Sequence, residues 1–519
     1  MSEQGLFNAV IHIDTNWQNT SKDEFARDFI QPLQECHLID TIYICGAVGA
    51  YKDRYPKAVF VGGMDERSAV IEGGKKASEG VLRIRRTWKL PFPLKKEVIE
   101  GTLSDYMKRA RGGYLQTDLS DLPFGFMLIE VLGRTALDRI EDGAFTLDWE
   151  DARLYDADFP VERRRLTNRE RAQYLSEEAT GAWSFPKFIA LESTRLCNLR
   201  CSMCVTHSAS IEHAYLNRYP KHFDIEKFKW IIDQMEPYRE YISIAPQFQG
   251  EPFMFPDIKE MIRYSKGRSF SVGFTSNALL WDEEIIRFMI ENNVNQVCVS
   301  IDGASKETYE KIRIGGHYET MVSNVEKLIE MRDNLSKSTP PMPLLSVNMT
   351  LTQENRHEVE MMLNKWLKAA YAVGINNVCI DGVVPEKFFE PERYICPFLW
   401  EGMHILTNGD VIACCRDYRY EEVVGNAYTT SILEIWNGER YRRMRRLHLE
   451  GRWNEIPICS KCDTWMSKTG YPILEGDRIV NQYPFHRVFR PRGPRPQTAT
   501  HAEKPGRAIF GRLKSFLKP

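Results

Sequence analysis

Cys197, Cys201 and Cys204 sit in the run Leu196-Cys-Asn-Leu-Arg-Cys-Ser-Met-Cys, just after the apolar stretch Phe188-Ile-Ala-Leu. Three thiolates on one tight loop can hold three corners of a four-iron, four-sulfur cube. The fourth iron then lacks a protein ligand and stays open to a small molecule. Soft thiolates select iron–sulfur or zinc over hard cations. A structural zinc wants a fourth ligand and more often two separated pairs; His207 is close enough in sequence to offer that ligand. The spacing favours the cube with an open iron.

A second group follows: Cys396, Cys414, Cys415, Cys459 and Cys462. Read alone, Cys459-Ser-Lys-Cys462 is half of a zinc knuckle that Cys396 and Cys414 would close. Cys36, Cys45, Cys298 and Cys379 fall in helix or strand patterns and read as buried small hydrophobes. The start, Met-Ser-Glu-Gln-Gly, has no basic n-region or apolar h-region, and the chain carries 12 cysteines. Together these predict a reducing compartment, with the cytoplasm as the default.

The cysteine loops need a scaffold to bring them together. From Phe185 onward, strand and helix patterns alternate. Strands are expected over 186–192, 240–246, 270–275, 296–301, 344–350 and 376–380. Helices are expected over 225–236, 256–265, 283–291, 305–312, 318–333 and 355–372. Such an alternation predicts a partial (β/α)6 barrel, whose chemistry is built at the C-terminal ends of the strands. The cysteine triplet follows the first strand.

Earlier in the chain, strands are expected at Asn8-Ala-Val-Ile-His-Ile13, Thr41-Ile-Tyr-Ile-Cys45, Ala58-Val-Phe-Val61 and Val81-Leu-Arg-Ile84. Helices over 22–33, 66–78 and 94–110 complete a parallel, three-layer α/β pattern. The expected organisation is an α/β domain over 1–160, a linker or bridging helix over 161–183, and the barrel over 184–384. A second cysteine-bearing domain spans 385–475, and a basic, disordered tail spans 476–519. With a net charge of −2, nothing global draws the 519-residue chain to nucleic acid.

Four more runs accompany the triplet, in order. Gln249-Gly-Glu-Pro252 follows the second strand, Thr275-Ser-Asn277 the third, and Val299-Ser-Ile-Asp-Gly303 lies at the fourth. Arg313 stands in Lys311-Ile-Arg-Ile-Gly-Gly316. Together they resemble the radical S-adenosylmethionine (radical SAM) superfamily. The resemblance implies that the open iron is chelated by the amino and carboxylate groups of S-adenosylmethionine. One electron then breaks the C5′–S bond, and the 5′-deoxyadenosyl radical takes a hydrogen atom from substrate.

By the same resemblance, Gly250, Glu251 and Pro252 match the motif that meets the methionine amino group. Ser276 and Asn277 match a segment that commonly reads Thr-Asn-Gly. Ser300, ahead of Asp302, is the polar group reaching the adenosyl ribose, and Arg313 lies near the cofactor carboxylate. Met203 stands where an aromatic is frequent and packs on the cluster. Gln249 departs from the usual first glycine. No general base stands out.

Downstream, Cys396-Pro-Phe, Asn408-Gly-Asp-Val-Ile-Ala-Cys-Cys415, Val424-Gly-Asn426, Ser431-Ile-Leu-Glu-Ile-Trp-Asn437 and Cys459-x-x-Cys462 resemble the SPASM domain. That domain carries auxiliary iron–sulfur clusters behind many radical SAM barrels. No cysteine follows Cys462, so the ligand supply is that of a single auxiliary [4Fe–4S] cluster. The family spacing from Gly409 assigns it Cys396, Cys414, Cys459 and Cys462, with Cys415 as a neighbouring thiol. A cluster with four thiolates cannot chelate substrate, so it is expected to accept or pass an electron, which points to oxidation. The short, single-cluster form resembles that of a radical SAM cyclitol-alcohol dehydrogenase; peptide-modifying and sulfatase-maturing relatives share the domain.

The first domain resembles a degenerate sugar nucleotidyltransferase in Val81-Leu-Arg-Ile-Arg-Arg-Thr-Trp-Lys-Leu-Pro-Phe-Pro-Leu94, and in Tyr114-Leu-Gln-Thr-Asp118 through Phe126-Met-Leu-Ile-Glu-Val-Leu132. His12-Ile-Asp-Thr-Asn-Trp17 replaces the family's triphosphate loop, and Trp88 or Lys89 its metal-binding Asp. A binding or docking role is therefore expected there.

Three readings follow. The favoured one is a radical SAM oxidoreductase acting on a carbohydrate, cyclitol or nucleotide sugar, supplied with electrons by a flavodoxin or ferredoxin. The second is a peptide or protein maturase, and the third a non-catalytic iron–sulfur sensor. Arg440 to Arg446 predicts a helix with a solvated cationic face. In the tail, Ile509, Phe510, Leu513, Phe516 and Leu517 share one helical face, suited to weak membrane-surface contact.

Overall fold

A computed structural model describes residues 185–208 and 219–491, apart from 339, 380–382, 469 and 477. Before residue 185 it describes seven strands and portions of three helices. The chain divides into two compact units, Met1–Ala182 and Trp183–Pro519.

The first unit holds β1 (Phe7–Ile13), β2 (Ile39–Gly46), β3 (Ala58–Val61), β4 (Gly80–Arg86), β5 (Tyr114–Asp118), β6 (Met127–Gly133) and β7 (Val161–Arg165). They form one sheet in the order β3-β2-β1-β4-β6-β5-β7. The four strands expected from sequence are present and mutually parallel. The sheet as a whole is mixed, because β6 runs antiparallel to both β4 and β5. Phe7, Ala9, Ile42, Val81 and Leu82 are buried, and Phe7 meets Tyr106 edge-on at 5.7 Å.

The charged run at 161–165 is not a linker: it pairs in parallel with β5 as an edge strand, where strand pairing supplies partners for its backbone. The helix expected in the same stretch is Asn168–Leu175. The expected helix over 66–78, and most of the replaced phosphate loop and metal position (residues 14–17, 88 and 89), lie outside the described residues.

The second unit is built on β8 (Phe188–Leu191), β9 (Ser243–Ala245), β10 (Ser271–Ser276), β11 (Gln296–Ser300), β12 (Leu344–Leu351) and β13 (Ala372–Asn377). Each pairs in parallel with the next, which is the expected (β/α)6 arrangement. The intervening helices are amphipathic, and Asp224, Asp282 and Ser305 cap three of them through side-chain bonds to first-turn N–H groups. The last strand begins four residues before the expected 376. Its buried run is Ala372-Val-Gly-Ile, and the preceding helix stops at Trp366.

Two additions extend this sheet. At one edge, β14 (Gly402–Ile405) pairs in parallel with β8 and is followed by antiparallel β15 (Asp410–Ile412) and β16 (Val423–Asn426). At the other, β17 (Tyr471–Glu475), β18 (Arg478–Gln482) and β19 (His486–Pro491) form an antiparallel meander on β13. The tail expected to be disordered from 476 is therefore structured through Pro491. Val480 and Phe489 are buried there, which anchors strands of otherwise polar composition. The amphipathic run at 507–518 lies outside the described residues. Among the described residues, no helix is long and apolar enough to cross a membrane.

Candidate cofactor site and auxiliary thiolate cavity

Parallel strands put the C-terminal ends of β8 to β11 on one rim, and the runs singled out from sequence follow those ends. The triplet loop is tied down by its backbone. Glu251 N donates to Leu196 O (2.8 Å), Arg200 N to Ile314 O (2.9 Å) and Ser202 N to Ile312 O (2.9 Å). Gly250 is required at this contact, because a Cβ there would lie 2.2 Å from Thr194 O and 2.7 Å from Leu196 O.

Cys197, Cys201 and Cys204 are all partly buried. The Thr206 and His207 N–H groups donate to Cys204 Sγ at 3.4 and 3.2 Å. Burial pushes the Cys197 thiol up to about 12 and raises Cys201 too, the latter opposed by Arg313. Iron must therefore displace protons on binding. A three-thiol loop with converging N–H donors fits a cluster with one open iron. Among the described residues, no group of three or more His, Cys, Asp or Glu side chains is arranged to hold a single metal ion. The ligands of a cube each take a different iron. His207 meets the loop through its backbone N–H to Cys204.

Glu251 is 4% exposed, and its carboxylate accepts from Ser276 Oγ (2.7 Å) and Asn277 N (2.9 Å). Burial pushes it up to about 7 against those hydrogen bonds. Asn277 Nδ2 in turn donates to Asn198 Oδ1 (2.8 Å), inside the triplet loop. Pro252 begins the short 3-10 turn Pro252–Met254 and is buried. Ser276 and Asn277 thus hold Glu251 and the cysteine loop in fixed relation.

Asp302 is fully buried and commits both oxygens to protein. Oδ2 accepts from Arg313 Nε (2.8 Å) and Nη2 (2.6 Å), and Oδ1 from Thr350 N (2.7 Å). Burial works against the Arg313 charge, but Asp302 and Cys201 hold the guanidinium above its ordinary range. Ser300 ends β11 and is half-buried, and Met203 is half-buried in the loop.

The second cysteine group converges as well. Cys396, Cys414, Cys459 and Cys462 line one cavity of about 390 Å³, counting space open to solvent, with Arg393, His448, Leu399 and Trp465 in its wall. Burial raises Cys396 well above the ordinary range and pushes Cys459 up to about 12. Thr464 N donates to Cys462 Sγ (3.3 Å) and Arg416 N to Cys414 Sγ (3.5 Å). The donor set fits a closed four-thiolate cluster. Cys415 contacts Cys414, which raises the Cys414 thiol and lowers its own. Cys379 follows β13 and packs against the Val384, Tyr394, Trp465, Met466 and Phe485 cluster, as a small hydrophobe would, and burial raises its thiol.

Some of the site escaped sequence reading. Arg195, 3% exposed, bonds Glu192 Oε2 (3.2 Å) and donates to Tyr420 Oη (2.9 Å), which donates to Gln249 Oε1 (2.8 Å). This chain joins the triplet loop, the Gly-Glu-Pro loop and the region after Cys414. No motif marks it. The Arg440–Arg446 helix is present as Glu439–Leu449, but its face is not wholly solvated. Arg445 is buried, donating to Leu399 O and Trp436 O at 2.9 Å each over the Trp436 ring.

Comparison with known proteins matches the radical SAM superfamily over residues 191–365 and the SPASM iron–sulfur cluster-binding domain over 396–463. A tungsten-containing aldehyde ferredoxin oxidoreductase cofactor-modifying protein from Pyrococcus furiosus is 24% identical over 324 residues, covering 53% of this chain and 87% of the relative. A mycofactocin maturase from Mycolicibacterium smegmatis is 26% identical over 164 residues, 31% of this chain and 39% of the relative. The crystal structure of Streptococcus suis SuiB bound to S-adenosylmethionine aligns over 50% of this chain and 68% of its own, at 14% identity and a TM-score of 0.41. S-adenosylmethionine and [4Fe–4S] are the cofactors of the first of these domains, and the second binds additional iron–sulfur clusters. The chain therefore carries a radical SAM domain followed by a SPASM domain, in the order of its two cysteine groups.

Proposed function

We propose that the enzyme carries out a SAM-dependent two-electron oxidation of a peptide or peptide-derived cofactor precursor. The observation that carries the oxidation is the convergence of Cys396, Cys414, Cys459 and Cys462 on one cavity, with a thiolate for every iron corner. When bound, the cofactors supply reductive cleavage of S-adenosylmethionine at the first site and a one-electron acceptor at the second. The chain's own residues do the positioning. Cys197, Cys201 and Cys204 would hold the first cluster, and the Glu251 carboxylate, fixed by Ser276 and Asn277, would receive the cofactor's amino group. Asp302 orients Arg313 beside Cys201, which leaves the half-buried Ser300 as the group reaching toward the ribose.

The substrate class is supported by the relatives, one named a cofactor-modifying protein and another a maturase. The carbohydrate, cyclitol or nucleotide-sugar reading rests on the resemblances of the single-cluster domain and of the first domain, and neither of those relatives is named for such a substrate. A single assay separates them. The reconstituted, dithionite-reduced protein is given S-adenosylmethionine with short peptides or with sugars and nucleotide sugars. Both 5′-deoxyadenosine and substrate mass are followed. Peptide-dependent 5′-deoxyadenosine with a product lighter by two hydrogen atoms is the expected result. Turnover of sugars alone would overturn the substrate class, and a product of unchanged oxidation level would overturn the oxidation.

A further inference from the structure

We infer that His448 is a positioning residue for the auxiliary centre. Its Nε2–H donates a hydrogen bond to sulfur of the cluster held by Cys396, Cys414, Cys459 and Cys462, raising the reduction potential so that the centre can take an electron. This rests on the four-thiolate reading above and asks what sets that centre's direction.

His448 lies near the end of the helix Glu439–Leu449, is 1% exposed, and lines the same cavity as the four cysteines. The backbone N–H of Cys396 donates to His448 Nδ1 at 3.4 Å. A ring nitrogen that accepts carries no proton, so the proton of the neutral imidazole is on Nε2. That atom is buried and has no hydrogen-bond partner among the described protein atoms. An N–H held this way is costly unless something in the cavity accepts from it. The cavity's other walls are the apolar Phe398, Leu399, Ile458 and Trp465, the donor Arg393 and one hydroxyl, Thr464, so four of the five side-chain acceptors that line it are sulfurs.

Arg393 acts in the same direction from behind the Cys459–Cys462 turn. Its Nη1 donates to Cys462 O (2.7 Å) and its Nη2 to Cys459 O (3.4 Å), and the guanidinium lies over the Trp453 and Trp465 rings at 5.0 and 4.7 Å. A fixed cation and a hydrogen-bond donor both favour the reduced, more negative cluster, so both raise its potential. A purely structural role for His448 would be to pack its ring against Trp453, which lies 6.1 Å away and tilted. Packing alone would leave the potential unmoved.

The test uses the full chain in a background with Cys197, Cys201 and Cys204 all changed to Ala, so that only the auxiliary centre is read. Midpoint potentials are measured by EPR-monitored redox titration for this background and for His448→Phe and His448→Gln within it. His448→Phe should lower the potential by about 59 mV, a tenfold shift in the one-electron equilibrium. His448→Gln, which restores an N–H donor, should recover most of it. An unchanged potential in a cluster-loaded His448→Phe protein overturns the inference.

Pulsed EPR of the otherwise unsubstituted background with 15N-histidine gives a second readout, free of any effect of His448 substitutions on folding. A 15N coupling from one imidazole to the reduced cluster is expected, and its absence overturns the role of His448. Absence of iron from the background itself overturns the four-thiolate reading beneath it, a result distinct from an unshifted potential.

Discussion

The Cα of Gly250 faces the carbonyl oxygen of Thr194 so closely that a Cβ on Gly250 would lie 2.2 Å from it. Two loops, one after β8 and one after β9, are locked together at that point, and the Glu251 N to Leu196 O bond (2.8 Å) continues the contact. Gly250→Ala must therefore push the cysteine loop off its seat. Overpacking of this kind costs about 1–3 kcal/mol. The expected outcome is loss of iron from the first site with far-UV circular dichroism unchanged, measured by iron and sulfide analysis after anaerobic reconstitution.

The Asp302–Arg313 pair should respond asymmetrically. Removing Asp302 strands a buried guanidinium, and breaking such a pair from one side costs about 3–5 kcal/mol. Asp302→Ala should lower the urea midpoint strongly, whereas the double change Asp302→Leu with Arg313→Met should recover part of the loss. Equal losses in both proteins would show that the ion pair is not what holds β11, β12 and the Arg313 loop together.

Glu251 predicts a pH dependence. Burial holds its carboxyl up to about 7, so it is largely protonated below that pH and anionic above it. An iron-bound amine keeps N–H donors that the anionic carboxylate accepts best, so affinity for S-adenosylmethionine should weaken by up to roughly tenfold per pH unit below about 7. Equilibrium binding to the anaerobic holoenzyme measures this. Glu251→Gln should bind weakly with a flat profile, and a flat profile in the unsubstituted protein would remove Glu251 from the cofactor's amino group.

Cys414 and Cys415 are neighbours with different surroundings. Only Cys414 is among the residues lining the auxiliary cavity. Cys414→Ala should take the iron content from about eight toward about four per chain, whereas Cys415→Ala should leave it near eight. The reverse pattern would exchange their assignments.

The barrel was legible because its signals are local: six buried apolar runs, caps such as Asp224 and Asp282, and motifs placed at the ends of the first four strands. The thiolate sets were legible from spacing. What sequence hid depends on distant partners. The Arg478–Gln482 and His486–Pro491 runs look like a polar tail until β13 offers an edge to pair with. Val161–Arg165 reads as a linker until β5 supplies its ladder. In the site, Arg195 and Tyr420 are 225 residues apart, and His448 meets Cys396 across 52. Asp302 could be nominated for the cofactor from its motif, because only the structure reveals that its carboxylate is taken by Arg313 and Thr350.

The central claim, initiation at one cluster and oxidation completed by a second, is tested most directly by 5′-deoxyadenosine and product yields from three reduced, reconstituted proteins. The unsubstituted enzyme should form both with substrate present. Cys201→Ala should form neither, and Cys459→Ala should still form 5′-deoxyadenosine but little oxidised product. Full product yield from Cys459→Ala, or no 5′-deoxyadenosine from the unsubstituted protein under any condition, would contradict the account.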